Sequence, residues 1–360
     1  MSEERTDIEE AVLARWELAA EEIHGALDKH LAVAFLGSAS SGKDSAIRAL
    51  FGIDFGEVDP IPGSTDRVRV AALDTDRRVL VLNAPGFGDI RASIDTLARE
   101  AMDKLDIAIY LLNCDGGATI DERRDLDAVR DLGRPTLVCL NKIDLIRPAQ
   151  RASFVDATLA QLGVSKEDAV ITAFDPLPVL SDTPIGVQEV VDWIHRHLEE
   201  NGKALLFAKT LRNRAIACES IIRAAAKQAA VAGAIPIPGA DATAVTAIQV
   251  RLISKIAAIY DHRIDKDLVL FILGEALAGS SKGFIRWAVR AAKTAGWIPG
   301  GQVIAVATSA LGATIAGATT FGVGKAAIAF MERGGSITGT EIREIFNLQA
   351  FAWKDNNAES

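Results

Sequence analysis

Residues 31–52, Leu31-Ala-Val-Ala-Phe-Leu-Gly37-Ser-Ala-Ser-Ser-Gly42-Lys43-Asp-Ser-Ala-Ile-Arg-Ala-Leu-Phe-Gly52, decide the fold. The run 31–36 is apolar without alternation and of strand length, which predicts a strand buried on both faces. A glycine-containing turn follows, and then a segment with helical spacing. That order builds a phosphate cradle: backbone N–H groups and a helix N-terminus face the anion, and a lysine reaches its outer oxygens. Gly37, Ser38, Ala39, Ser40, Ser41, Gly42 and Lys43 are therefore the expected phosphate-binding residues, with Asp44 and Ser45 opening the helix behind them.

Working outward, further apolar runs fall at 68–73, 78–83, 107–113, 136–141 and 169–174, with helical patterns at 91–104, 121–131, 147–162 and 184–199. Alternating apolar strands and helices predict an α/β fold, a six-stranded, mostly parallel sheet wound on both faces. The runs 68–73 and 78–83 are separated only by Asp74-Thr75-Asp76-Arg77, so that pair is expected to be antiparallel. Upstream, residues 5–29 read as an amphipathic helix with Ile8, Val12, Trp16, Ala19, Ile23 and Leu27 on one face. Beyond residue 200 the strands stop. Helical patterns at 203–230, 242–260, 267–278, 282–295 and 303–331 predict an all-α second domain. Pro-Gly turns at 234–241 and 296–301 each precede a long apolar helix, a weak internal repeat. The expected domains are 1–30, 31–200 and 201–360.

Composition places limits on function. Apolar residues make up 49 % and charged residues 24 % of the chain, a globular balance. The formal charge of −9 is uneven: residues 1–200 hold 21 basic and 37 acidic residues, whereas residues 201–360 hold 18 and 11. An acidic first part without a basic, aromatic stripe argues against a nucleic-acid partner. A basic and apolar second part points to a membrane surface or an acidic partner more than to DNA, and a membrane or membrane-protein partner through residues 201–360 is expected. Cys114, Cys139 and Cys218 are isolated and apolar in context, as expected of reduced thiols in a cytoplasmic protein. His195 and His197 stand two apart on a helix and face different ways, so no zinc site is expected. The acidic first 24 residues lack the pattern of a signal peptide.

A second motif identifies the ligand. Asn141-Lys142-Ile143-Asp144 closes the strand run 136–141, about a hundred residues after the phosphate loop. An aspartate there can accept hydrogen bonds from the N1–H and exocyclic amine of guanine, a donor pair that adenine lacks. The Asn and Lys brace the loop and pack over the base. Guanine nucleotide, GTP or GDP, is the expected ligand, and an ATPase is disfavoured.

With these motifs the chain resembles Era/dynamin-type P-loop GTPases of the translation-factor-related class. Residues 42–52, Gly-Lys-Asp-Ser-Ala-Ile-Arg-Ala-Leu-Phe-Gly, are similar to that group's GKSSLINALLG. Pro62-Gly63-Ser64-Thr65 resembles its switch I segment, and Asn83-Ala84-Pro85-Gly86 the DTPG of switch II. The resemblance implies a Ras-like domain over residues 31–200 that binds GTP/GDP and Mg²⁺. It also implies that Thr65 senses the γ-phosphate through Mg²⁺, that Gly86 binds the nucleotide, and that the backbone of Thr172-Ala173 meets the base. Residues 204–335 resemble a helical domain of unknown function found in bacterial YcjF-like proteins, on Ala232-Gly-Ala-Ile-Pro-Ile-Pro-Gly-Ala-Asp-Ala-Thr-Ala-Val-Thr-Ala-Ile-Gln-Val250 and Gly324-Lys-Ala-Ala-Ile-Ala-Phe-Met-Glu-Arg-Gly334.

Two departures fall on the metal site. The family's Mg²⁺-binding Ser or Thr is Asp44 here, and its switch II Asp is Asn83, so one carboxylate enters and another leaves. Two readings stay open. In one, Asp44 binds Mg²⁺, Asn83 orients a metal-bound water, and Thr65 completes the site. In the other, the added carboxylate repels the phosphates and weakens hydrolysis. Ser45 is one position too far along to replace the missing hydroxyl. Phe87 stands where Ras-like enzymes carry a water-orienting Gln. Ser40 matches the serine with which dynamin-like loops position water and a monovalent cation, whereas Era-like enzymes that recruit K⁺ carry Asn. The expected catalytic residues are Ser40, Lys43 and Thr65, and the expected activity is slow GTP hydrolysis, boosted by homodimerisation across the nucleotide face. A non-hydrolysing GTP-binding scaffold is the alternative.

Residues 294–324 carry no charge, which is long enough to span a bilayer but diluted by Thr, Ser and Gly. Thr308/Gly312, Ala313/Gly317 and Ala318/Gly322 are small pairs four apart, suited to close helix packing in a membrane or in a tight bundle. A soluble or peripheral bundle and an inserted hairpin are both consistent with this, as is a place in the cytoplasm or on the inner face of the cell membrane. Trp287 and Trp297 are candidate interfacial anchors.

Overall fold

The computed structural model describes residues 2–54, 69–84, 104–234, 240–280 and 301–357. The expected helices at 91–104 and 282–295, the full Pro-Gly turns, Trp287, Trp297, the segment 62–65 and Pro85-Gly86-Phe87 lie outside those residues. In chain order the elements are α1 (Ser2–Leu27), β1 (Leu31–Leu36), α2 (Lys43–Phe51), β2 (Arg69–Ala72), β3 (Val79–Asn83), β4 (Ile107–Asn113), α3 (Ile120–Arg130), β5 (Thr136–Asn141), α4 (Pro148–Leu162) and β6 (Ala169–Ile171). They continue with α5 (Val187–Glu199), α6 (Ala204–Thr210), α7 (Arg214–Gly233), α8 (Ala240–Ile259), α9 (Lys266–Ser280), α10 (Gly301–Glu332) and α11 (Gly339–Asn357). Two compact units emerge, Ala26–Ile216 and Met1–Gly25 with Ala217–Ser360.

In the first unit six strands form one sheet in the order β2-β3-β1-β4-β5-β6, with β2 and β3 antiparallel and the other neighbours parallel. Every residue of β1 is buried, and so are the first six of β4, which is why these strands read as unbroken apolar runs. β1 lies between β3 and β4. The parallel strands end on one rim, where this class of sheet binds ligands. β6 ends at Ile171, short of the expected 174, because the chain turns to pair Ala173 with Ile185.

This unit extends past the expected boundary at 200. The Phe207 ring on α6 meets Phe51 edge-on at 6.1 Å, and Arg212 N–H donates to the Leu50 carbonyl at 2.8 Å. The single helix expected over 203–230 is two helices, α6 and α7. Asn213 Oδ1 accepts from the Ala215 and Ile216 amides at 3.1 and 3.2 Å, starting a new helix after a break at 211–213.

In the second unit the long apolar helix α10 packs against α8, α9 and α11. Its small residues are filled by neighbours: Gly312 lies against Gly233, Gly317 under the Trp353 ring, Gly322 against Phe346 and Ala350, and Gly324 against Ile222. The most apolar window, within Gly312–Glu332, is 78 % buried. Lys325 pairs with Glu219 of α7, and Arg251 of α8 with Glu22 of α1 at 2.7 Å. The N-terminal helix, expected as a region of its own, thus contributes residues 2–25 to this unit. Helix α11 has no counterpart in the sequence reading. Its start is a capping box, with Thr338 Oγ1 accepting from Glu341 N at 3.3 Å and Glu341 Oε2 accepting from Thr338 N at 2.9 Å.

Candidate nucleotide-binding site

At the carboxyl rim of the sheet lies a cleft of about 350 Å³, lined by Ser40, Gly42, Lys43, Asp44, Ser45, Asn141, Lys142, Ala173, Phe174 and Asp175. Residues from three separate loops therefore converge, eight of them expected from the sequence. Phe174 and Asp175 were not expected.

The turn after β1 forms one end. Gly42 has φ 95° and precedes α2. A Cβ at Gly42 would collide with Asn141 Nδ2, so only glycine fits both the backbone and the close approach. Gly42 has no side chain to cap α2, which leaves the first-turn N–H groups for a ligand. Ser40 also sits in the left-handed region, at φ 63°. Lys43 Nζ donates to the carbonyls of Gly37 and Ser38, both at 2.9 Å. Burial pushes its pKa below the ordinary lysine value, opposed by the nearby charges of Asp44 and Asp125. Ser38 Oγ donates to Glu122 Oε1 at 3.1 Å, tying the turn to α3.

The other end is built by β5 and the chain after β6. Asn141 is buried, and its side chain joins both ends of the cleft. Its Nδ2 donates to the Ser41 carbonyl at 2.8 Å, while its Oδ1 accepts from Thr172 Oγ1 and Phe174 N, each at 3.2 Å. Lys142, at φ 63°, turns the chain into a short 3₁₀ turn carrying Asp144. Ile143 N donates to the Thr172 carbonyl at 3.1 Å, which holds that turn beside the Thr172-Ala173 pair. Asp144 is 8 % exposed and accepts from Leu177 N through Oδ2 at 3.2 Å.

The two non-consensus residues meet. Asn83, at the end of β3, donates through Nδ2 to Asp44 Oδ1 at 2.5 Å. Both side chains carry oxygen, the donor type that a hard divalent cation takes. Thr65 and Gly86, the remaining expected site residues, lie outside the described residues. At the mouth of the cleft Arg48 pairs with Asp175 at 3.0 Å, both largely exposed.

Residues 32–142 match the family model described as 50S ribosome-binding GTPase, and residues 197–350 match Domain of unknown function (DUF697). Among curated relatives, the chain is 27 % identical over 148 residues to a probable GTP-binding protein EngB of Gemmatimonas aurantiaca, covering 38 % of this chain and 72 % of that one. It is 24 % identical over 179 residues to GTPase Era of Aquifex aeolicus, covering 47 % and 56 %. It is 28 % identical over 248 residues to tRNA modification GTPase MnmE of Paraburkholderia xenovorans, covering 58 % and 53 %. The chain thus spans about half the length of the latter two. Within the first unit, residues 32–142 are thus similar to a GTPase family, and residues 197–350, helical where described, are similar to a domain of unknown function.

Proposed function

We propose that this chain, a P-loop GTPase domain joined to a helical domain of unknown function, binds guanine nucleotide in the cleft, hydrolyses GTP slowly, and uses its nucleotide state to bias the helical unit. The observation that carries the reading is the Asn141 side chain, which holds the phosphate loop at Ser41 and the base loop at Thr172 and Phe174 together. A side chain linking the two ends suits a ligand that is a polyanion at one end and a flat base at the other.

The residues divide the work by their chemistry. The amides of residues 38–43 and the start of α2 provide positive potential for phosphates. Lys43 adds a full charge within a partly buried site, where it acts more strongly than in water. Asp144 reads the guanine edge, and Ala173 offers its backbone beside it. Asp44, Asn83 and Thr65 would hold magnesium, which when bound neutralises charge on the outer phosphates. Ser40 takes the position from which a monovalent cation or attacking water is placed, so K⁺ is the natural activator to try. Phe87 has no group to orient water. Hydrolysis by this chain alone is therefore slow, and a second copy facing the nucleotide is the proposed source of acceleration.

For the helical unit we favour a bundle that touches a membrane or membrane protein peripherally over an inserted hairpin. The small residues of α10 that would mediate membrane packing already receive Gly233, Trp353, Phe346 and Ile222, and Lys325 is paired inside the unit. Carbonate washing of membranes separates the two, since a peripheral bundle is released and an inserted hairpin stays.

The deciding experiment is to identify the nucleotide that co-purifies with the chain and to follow single-turnover GTP hydrolysis with Mg²⁺, with and without K⁺. Tight GTP binding without phosphate release over hours would remove the hydrolytic part. Asp144→Asn should move preference from guanine to xanthine nucleotides, and an unchanged preference would remove the base assignment.

A further inference from the structure

The segment after Ala173 contains an unusual triplet, Pro176-Leu177-Pro178. Neither proline has an N–H, so the Leu177 amide is the sole backbone donor across those three residues. That single amide donates to Asp144 Oδ2 at 3.2 Å. The prolines also fix the direction of the bond. Pro176 locks its own φ, and Pro178 keeps Leu177 out of the helical region, so the amide has few orientations to lose.

Both flanks of the triplet are tied down. In front, Asp175 pairs with Arg48 of α2 at 3.0 Å, and Phe174 N is held by Asn141. Behind, the amides of Leu180 and Ser181 donate to the Leu177 carbonyl at 2.8 and 3.1 Å, and Ile185 N returns to Ala173 at 2.9 Å. Leu177 is 51 % exposed, and its place in the site is through its backbone amide. Thr172, the nearby hydroxyl, is directed instead at Asn141 Oδ1.

We infer that Pro176-Leu177-Pro178 is a rigid brace that holds the Asp144 carboxylate in the plane needed to read guanine, making the Leu177 amide a positioning group for base specificity. The inference rests on the guanine-nucleotide reading above. Two guanine donors must meet two carboxylate oxygens at once, so free rotation of the Asp144 side chain would weaken the contact with the exocyclic amine. A fixed Oδ2 removes that rotation while leaving the carboxylate further acceptor sites for the base.

The test compares GDP with IDP, which lacks only the exocyclic amine, and with ADP, using the full chain. Both purine diphosphates meet the same phosphate and ribose groups, so the GDP-to-IDP affinity ratio cancels any general loss of stability. Leu177→Pro deletes the donor. The double variant Pro176→Ala/Pro178→Ala keeps the donor but frees its direction, and it carries the test if Leu177→Pro does not fold. Val179→Ala, at a position two residues further on and 79 % exposed, is the loop control. We expect the ratio to fall about tenfold in both brace variants, the scale of one hydrogen bond to a charged group, and to stay unchanged in the control. A wild-type ratio in folded Leu177→Pro, or in the double variant, overturns the brace. Failure of the unaltered chain to prefer GDP over ADP would instead overturn the guanine reading, so the two failures are distinct.

Discussion

Asn83 Nδ2 donates to Asp44 Oδ1 at 2.5 Å, so two residues expected from the sequence at a metal site face each other directly. The bond pairs a neutral donor with an exposed carboxylate. The substitutions therefore act as a unit. Asn83→Asp alone would oppose two exposed carboxylates and should lower stability by at most about 1 kcal/mol. Asp44→Ser alone would leave Asn83 without its acceptor. The double variant restores the arrangement of one hydroxyl and one carboxylate and should recover most of both losses. Thermal unfolding and Mg²⁺-dependent GDP affinity measured across all four proteins provide the check. Strict additivity would show that the pair does not function as one site.

Asn141→Ala should be the most damaging change in the cleft. It leaves the Ser41 carbonyl, the Thr172 hydroxyl and the Phe174 amide without their partner in a buried setting. An unsatisfied buried group costs about 1–3 kcal/mol, and relaxation will recover part of the total, so a loss of about 2–4 kcal/mol is expected. Nucleotide affinity should fall together with stability, because phosphate loop and base loop lose their common tie. Urea titration and nucleotide binding on the same preparations test this. Full stability in Asn141→Ala would refute the bridging role.

How much of this was legible beforehand follows from distance along the chain. The strand, turn and helix around Gly42 and Lys43 are a local pattern, and so is Asn141-Lys142-Ile143-Asp144 at the end of a strand; both lie where the sequence placed them. The partners of the Asn141 side chain stand 31, 33 and 100 residues away, and no spacing rule reaches that far. Phe174 and Asp175 were missed for the same reason, since they enter the cleft only because Ala173 turns back to pair with Ile185. Two local signals were present but unused. Thr338-x-x-Glu341 marks the start of α11, and Asn213 marks the start of α7. The charge-free stretch of α10 was ambiguous because the same small residues suit a bilayer and a bundle. Side chains from other helices, such as Trp353 over Gly317, are needed to tell them apart.

Cys114 and Cys139 should be inert while the chain is folded. Burial, helped by the charge of Asp144, pushes the Cys114 thiol up to about 12, and burial alone raises Cys139 above the ordinary range. Thiolate is the reactive form, and a thiol at that value carries roughly a thousandfold less of it at pH 8 than a free cysteine. Alkylation by iodoacetamide at pH 8 should therefore be at least about a hundredfold slower in the native protein than in urea, with a native rate that rises as pH approaches the Cys114 value. Rapid native labelling of Cys114 or Cys139, located by mass spectrometry, would contradict the packing around β4 and β5.

Gly52 closes α2 with φ 73°, and its N–H donates to the Arg48 carbonyl. A Cβ there would lie 3.1 Å from Arg212 Cδ, and Arg212 N–H itself caps Leu50 at 2.8 Å. Gly52→Ala thus has two costs, a left-handed backbone for an L residue and crowding of the Arg212 side chain. The first is about 1 kcal/mol, and the second is small because the arginine stem can shift. Arg212→Ala removes the crowding but not the backbone cost. The combination Gly52→Ala/Arg212→Ala should therefore remain less stable than Arg212→Ala by about 1 kcal/mol, whereas Gly52→Asn should lose less, because asparagine tolerates this region. Chemical denaturation of the four variants against the parent decides it. If Gly52→Ala and Gly52→Asn lose equal stability, crowding by Arg212 rather than backbone handedness governs the end of the phosphate-loop helix.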